Sequence, residues 1–194
     1  MPVVRPRLDT AELSRNAASG RVLDAAFFAR PALNVARALL GRTLVRRLPD
    51  GAMQAWPITE TEAYVGAHDL ASHARAGRTA RTAPMFGPPG RWYVYFIYGV
   101  HWMLNVVTDD VDVPAAVLIR AAGPADGPGK LTKRMSLDAV QNDQPAAVET
   151  ALWIEDRGLT VPRREIAITP RIGVDYAGDW AAKPYRFVWT KPRS

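Results

Sequence analysis

The stretch RWYVYFIYGVHWMLNVV occupies residues 91–107 and holds three tyrosines, two tryptophans and a phenylalanine. Tyr98-Gly99 divides it into two short apolar runs. Each run has strand length, and a glycine pair between them is turn chemistry, so a β-hairpin is predicted over 92–107 with its turn near Tyr98-Gly99. Side chains alternate across a strand, which sends Trp92, Val94 and Phe96 to one face and Tyr93 and Tyr95 to the other. The first set is expected to build core. A membrane crossing needs roughly 20 apolar residues, and Gly99, His101 and Asn105 interrupt this shorter run. Asn105 is the odd residue. An amide without a partner in an apolar strand costs on the order of a few kcal/mol, so it is either a satisfied core amide or a reader of a ligand's polar edge.

The segments on either side extend the same pattern. Upstream, GAHDLASHARAGRTARTAPMFGPPG (66–90) reads as a loop with a short helix, and a connection of that length points to function. MQAWPITETEAYVG (53–66) reads as a strand whose Pro57 belongs at an edge or a bulge. Before it, Asp24 is an N-cap candidate, Pro31 opens a second helix that Gly41 closes, RTLVRRL is a strand and PDGA its turn. Downstream, AAVLIRAAGP is a strand, and DGPGKLTKRMSLD turns into a helix. ALWIEDRG and the segment from 164 to 189 supply further strands. The expectation is an α+β domain over 21–194, with a curved, mostly antiparallel sheet, a protruding hairpin and surrounding helices. A polar, flexible arm is expected over 1–20.

The 194 residues include no cysteine, which excludes disulfides and thiolate metal or redox sites. The first residues lack an apolar leader segment, so an intracellular, non-membrane protein is expected. The net charge is +6, and arginine is the main cation, with lysine at only four positions. Between His73 and Gly90 stand Arg75, Arg78 and Arg81 with no acid. Guanidinium forks suit phosphate, so a nucleic acid is the expected partner. In that setting Tyr98 reads either as an ordinary turn residue or as an exposed ring that wedges between bases.

Glu60, Glu62 and Tyr64 alternate on one strand face with Ile58. Two such carboxylates usually form a solvated surface. In apolar surroundings one of them acquires a raised pKa and serves as acid or base. Arg120 ends an apolar strand, where it either snorkels or orients Glu62. His68, His73 and His101 show no metal spacing, so no metal is expected. In GPGKLTKR, Lys130 and Lys133 beside helix amides fit a phosphate, although the full nucleotide-loop pattern is absent.

These pieces in order resemble the alkyladenine (3-methyladenine) DNA glycosylase family. FFARPALNVARALLGRTLVRR, ETEAYVG, SHARAGRT, MFGPPGRWYVYFIYGVHWMLNVV, AVLIRAA, GPGKLTKRMSLD and RIGVDYAGDWAAKPYRFVW carry the likeness over about residues 24–190. The resemblance implies a monomeric, cofactor-free hydrolase that flips a damaged purine from double-stranded DNA and cleaves its N-glycosidic bond. It implies Glu62 as the base activating water, with Arg120 positioning both. Tyr64 then stacks on one face of the flipped base and His73 and Tyr95 on the other. Asn105 filters normal guanine, and Tyr98 fills the gap in the duplex. Arg75, Arg78, Arg81, Lys130 and Lys133 are the candidates for backbone contacts. Residues 54–107 contain no lysine, which argues against a Schiff-base lyase built there. Three departures from the family bear on lesion preference and DNA grip: the arginine loop is one residue shorter than in vertebrate members, VVTDDVDVPAAV is longer and more acidic, and the hairpin tip YGVHW carries Val100 and His101 where relatives often have other bulky residues. The rival reading is a non-catalytic module that reads damaged or unpaired bases.

Overall fold

The computed structural model describes residues 20–190. The arm expected over 1–20 lies, apart from Gly20, outside them. The spine of the fold is strand β3 (Met53–Tyr64). Its first half pairs with β2 (Thr43–Arg47) across the predicted turn. Its second half pairs with β6 (Ala115–Ala122) and with β10 (Arg186–Trp189). Pro57 is the last residue paired with β2. The donor that proline lacks is thus missing where the strand changes partners, in keeping with the edge or bulge expected.

The sheet runs outward from β3 in both directions. On one side β2 is followed by β8 (Leu152–Asp156) and β1 (Arg21–Val22). On the other, β6 is followed by β5 (His101–Thr108) and then β4 (Trp92–Ile97). The short β7 (Ala125–Asp126) joins β6, and β9 (Ile166–Thr169) joins β10. Every strand pairing among the described residues is antiparallel. The expected α+β architecture is the one observed.

One face of this sheet carries the main core. Helix α1 (Ala25–Phe28) is capped by Asp24, whose side chain accepts from Phe27 N–H. Helix α2 (Ala32–Ala38) starts one residue after Pro31 and buries Ala32, Val35 and Ala36. Thr61 Oγ1 of β3 donates to the Ala36 carbonyl at 2.8 Å, which satisfies a hydroxyl that would otherwise be costly among apolar neighbours. Leu39, Leu44, Trp92, Leu104, Val117 and Ile119 complete the layer. Burying each such side chain stabilises the fold by about 1.5–3 kcal/mol.

Two placements differ from simple alternation. Ile58 does not share the face of Glu60 and Glu62. The β3–β6 pairing is irregular on both sides of Glu60, and across that irregularity Ile58 and its partner Ala122 turn into the core. Phe96 has the alternation of Trp92 and Val94, but it lies beyond the core's edge and is 44% exposed. It packs on Trp102 instead, with ring centroids 4.8 Å apart.

The hairpin of β4 and β5 turns where predicted. Tyr98 and Gly99 have φ of 54° and 67°, and Val100 N–H donates to Ile97 O at 3.2 Å. The connection from 66 to 90 contains two short 3-10 turns, His73–Ala76 and Ala83–Phe86, rather than an α-helix. Helix α3 (Pro128–Arg134) packs against β5. A Cβ on its Gly129 would meet the His101 ring at 2.7 Å, so glycine permits this close approach. No helix among the described residues is long and apolar enough to cross a membrane.

Candidate active site

The face of the sheet opposite the core holds a cavity of about 250 Å³. Alternation within β4, β5 and β6 builds its floor. Tyr93, Tyr95, Met103, Asn105, Leu118 and Arg120 face it, while Trp92, Val94, Leu104, Val117 and Ile119 face the core. The stretch 91–107 is apolar on both faces because each face is covered. Tyr64, His73, Ile172 and Tyr176 supply the walls.

Glu62 is fully buried, directly behind residues of the cavity wall. Its Oε1 accepts from Ile172 N–H at 2.8 Å and pairs with Arg120 Nη1 at 3.2 Å. Its Oε2 accepts from the Tyr64 hydroxyl at 3.0 Å. Arg120, Ile172 and Tyr64 all line the cavity. Burial is the largest influence on the Glu62 carboxyl and pushes its pKa up; Arg120 and the two hydrogen bonds oppose it, and the nearby Glu60 adds to the rise. The result is a carboxylate poised to take a proton. Arg120 reaches both glutamates, with Nε donating to Glu60 Oε1 at 2.8 Å. Its pKa is raised, because the pull of Glu62 and Glu60 outweighs burial, the largest single influence, which lowers it.

Tyr64, His73 and Tyr95 line the same cavity. His73 Nδ1 is 2.9 Å from the Tyr93 hydroxyl, and its ring meets Tyr95 edge-on with centroids 4.5 Å apart. Burial first, then Arg81 and Arg75, lower the His73 pKa to about 4, so this imidazole is neutral at physiological pH. Burial likewise pushes the Tyr64, Tyr93 and Tyr95 hydroxyls up, leaving neutral rings. Asn105 is buried in β5 and lines the same cavity. Its amide nitrogen donates to Tyr93 O at 3.0 Å, and among the described residues no protein donor bonds its oxygen. The amide is therefore half satisfied by the hairpin.

Tyr98 is 81% exposed at the hairpin tip. A tyrosine at φ 54° carries backbone strain of about 1–3 kcal/mol that a glycine would avoid. The three arginines of the loop all meet aromatic rings. Arg75 lies over Tyr176 at 5.1 Å and Arg81 over Tyr95 at 5.3 Å, both at cavity residues. Arg78 is over Phe86 at 4.6 Å and is ion-paired with Asp112 of the acidic connection. A second acid there, Asp109, accepts from Ala32 N–H at the start of α2. Two acids of that connection thus have partners within the chain, Asp112 at the surface. Lys130 and Lys133 are exposed on α3, which begins at the cavity wall with Pro128. No cluster of metal-ligating side chains occurs among the described residues.

Several members of the site had no signal in the sequence. Ile172 contributes a backbone N–H, which any residue has. Arg171 and Asp69 form a fully buried bidentate pair, at 2.5 and 2.9 Å, with Arg171 over the Tyr64 ring at 4.8 Å. They are 102 positions apart in sequence. Arg186, on the last strand, reaches Glu60 at 2.6 Å.

The sequence pattern of Methylpurine-DNA glycosylase (MPG) matches residues 26–126 and 124–193. A Myxococcus xanthus protein, assigned by name to 3-methyladenine DNA glycosylase, is 47% identical over 87% of this chain and 90% of its own length. A relative from Methanocella arvoryzae with the same name is 47% identical over 86% of this chain and 91% of its own length. The human DNA-3-methyladenine glycosylase is 36% identical over 83% of this chain and 63% of the human protein. With the family pattern spanning nearly every described element and relatives this similar along the chain, the protein belongs to the methylpurine-DNA glycosylase family.

Proposed function

We propose that this protein is a DNA repair glycosylase that draws a damaged purine out of duplex DNA and hydrolyses its N-glycosidic bond without lyase chemistry. The observation that carries the reading is the buried Glu62, held by Arg120 and Ile172 N–H, two residues that line an aromatic cavity. In this reading a water bound between Glu62 and Arg120 attacks the sugar C1′. Glu62 takes a water proton, the new C–O bond forms at C1′, and the C1′–N bond breaks with its electron pair leaving on the purine. Alkylation that makes the base cationic makes it a better leaving group. Neutral rings on both sides recover part of the stacking lost on flipping, about 1–3 kcal/mol per stacked base. Tyr64 supplies one side and His73 with Tyr95 the other. Tyr98 fills the vacated position, which gives its strained backbone a purpose. The exposed lysines of α3 and the loop arginines approach phosphates. The protein acts as a monomer.

The test is direct. The protein is incubated with duplexes that each carry one modified purine, and abasic sites are then cleaved with alkali. Strand breaks at a lesion support the enzyme. Tight lesion binding with no breaks on any duplex supports the non-catalytic reader instead.

Asn105→Ser is expected to raise excision of undamaged guanine relative to a methylated purine, by about tenfold or more, because a single polar contact discriminates by roughly 1–3 kcal/mol. An unchanged ratio removes Asn105 from the filter.

The pH dependence follows from Glu62. The base must be ionised, and its pKa is raised above the ordinary glutamate value of about 4.3. The single-turnover rate should therefore fall as pH drops through a midpoint above that value. His73 gains a proton only near pH 4. A rate that stays flat down to the ordinary glutamate range contradicts the assignment of Glu62 as base.

A further inference from the structure

We propose that Glu60, clamped by Arg186, is a positioning residue of the active site: it holds the Arg120 guanidinium across to Glu62 and keeps it from closing onto the base. The kinetic consequence rests on the glycosylase reading of Glu62. The geometric argument stands on the buried cluster itself.

Four charged side chains meet at and behind the cavity wall, and each is at most 9% exposed: Glu60, Glu62, Arg120 and Arg186. Within this cluster two anions face two cations. Glu60 is its hub. Its Oε1 accepts from Arg120 Nε at 2.8 Å and from Arg186 Nε at 2.6 Å. Arg186 is anchored in turn, with Nη1 donating to Thr169 Oγ1 of β9 at 3.1 Å.

The register shows that this is a choice of partner. Arg186 stands opposite Glu62 in the β3–β10 pairing, yet its Nε goes to Glu60. Arg120 follows the same preference, at 2.8 Å to Glu60 and 3.2 Å to Glu62. An arginine alone with a buried carboxylate closes into a two-pronged pair, which is strong and leaves the carboxylate weakly basic. Glu60 competes for that guanidinium. It leaves Glu62 with one longer contact and an Oε2 that faces Tyr64.

Glu62 is faced by Arg120 from β6, by Glu60 and Tyr64 from β3, by Tyr95 from β4 and by Ile172 N–H. Arg186 stands across from it on β10. Burial raises the Glu62 pKa most, Arg120 lowers it and Glu60 raises it. Removing the Glu60 charge takes away a raising influence and frees Arg120 to strengthen a lowering one. Both changes act in the same direction.

The experiment compares the full chain with its Glu60→Gln variant by two readouts. Carbon-13 NMR follows titration of the Glu62 carboxyl, and single-turnover kinetics follows release of a methylated purine. The expected result is a Glu62 titration displaced to lower pH. Excision at neutral pH falls about tenfold, as a weaker general base requires, with lesion-duplex Kd within about threefold of the wild type. Arg186→Lys keeps the charge but loses the Nε geometry. It should move both readouts the same way by a smaller amount, and it carries the comparison if Glu60→Gln does not fold. An unmoved Glu62 titration, with activity falling only as the folded fraction falls, overturns the proposal. If the wild type releases no base but the titration moves, the glycosylase reading falls and the positioning role of Glu60 stands.

Discussion

Glu62→Gln should release damaged purines about 10²–10⁴-fold more slowly than the wild type while still binding lesion duplexes. Glutamine matches glutamate in size, so Ile172 N–H and Arg120 can still meet an amide oxygen where Oε1 now stands. It cannot take a proton from water near neutral pH. Binding should hold or tighten, since the change removes a negative charge from a site that receives anionic DNA. The residual rate then measures what the aromatic walls and the leaving group achieve without a base. The check is single-turnover excision beside a binding isotherm on the same duplex. Excision within a few-fold of wild type would remove Glu62 from the chemistry. Lost binding together with lost excision would point to a damaged fold.

Asp69→Ala is expected to destabilise the protein by about 3–5 kcal/mol, the cost of stranding a buried charge. Arg171 has no exposure, and its fork is spent on Asp69, the Ala63 carbonyl and the Trp180 carbonyl. Asp69 also accepts from Val65 N–H and Ala71 N–H, which ties down the start of the arginine-bearing connection. Its loss leaves a guanidinium without a counterion behind Tyr64 and next to Ile172. Chemical denaturation measures the loss. Replacing both partners together, Asp69→Leu with Arg171→Met, should cost less than Asp69→Ala alone, because no charge is left stranded. A loss under about 1 kcal/mol for Asp69→Ala would show that water or another group satisfies Arg171.

Much of this molecule is visible along the chain because the decisive rules are local. Two apolar runs around Tyr98-Gly99 determine a hairpin, since a turn needs backbone freedom and strands need period-two side chains. The same alternation assigns Tyr93 and Tyr95 to one side and Trp92 and Val94 to the other. It fails for Ile58, where an irregularity in pairing with β6 turns the side chain over. It fails for Phe96 in a different way: the face is right, but the core ends before the strand does. Neither the irregularity nor the extent of cover is a property of neighbouring residues.

The site divides along the same line. Glu62, Tyr64, His73, Tyr95, Asn105 and Arg120 stand out in the sequence because their residue types conflict with their surroundings, or because their order resembles a family. What Glu62 can do depends on groups brought from afar: the Ile172 N–H 110 positions away and Arg120 from another strand. Glu60 is drawn away by Arg186, 126 positions away. The sequence by itself determined the hairpin, the longer strands along the chain and which side chains were available for chemistry, since those follow from periodicity and residue type; the two-residue strands Arg21–Val22 and Ala125–Asp126 have too little of either to be read. Only the tertiary structure decided which of the two glutamates lies beside the cavity and which one anchors an arginine. Ion pairing and desolvation depend on distances through space, and those exist only once β3, β6 and β10 are side by side.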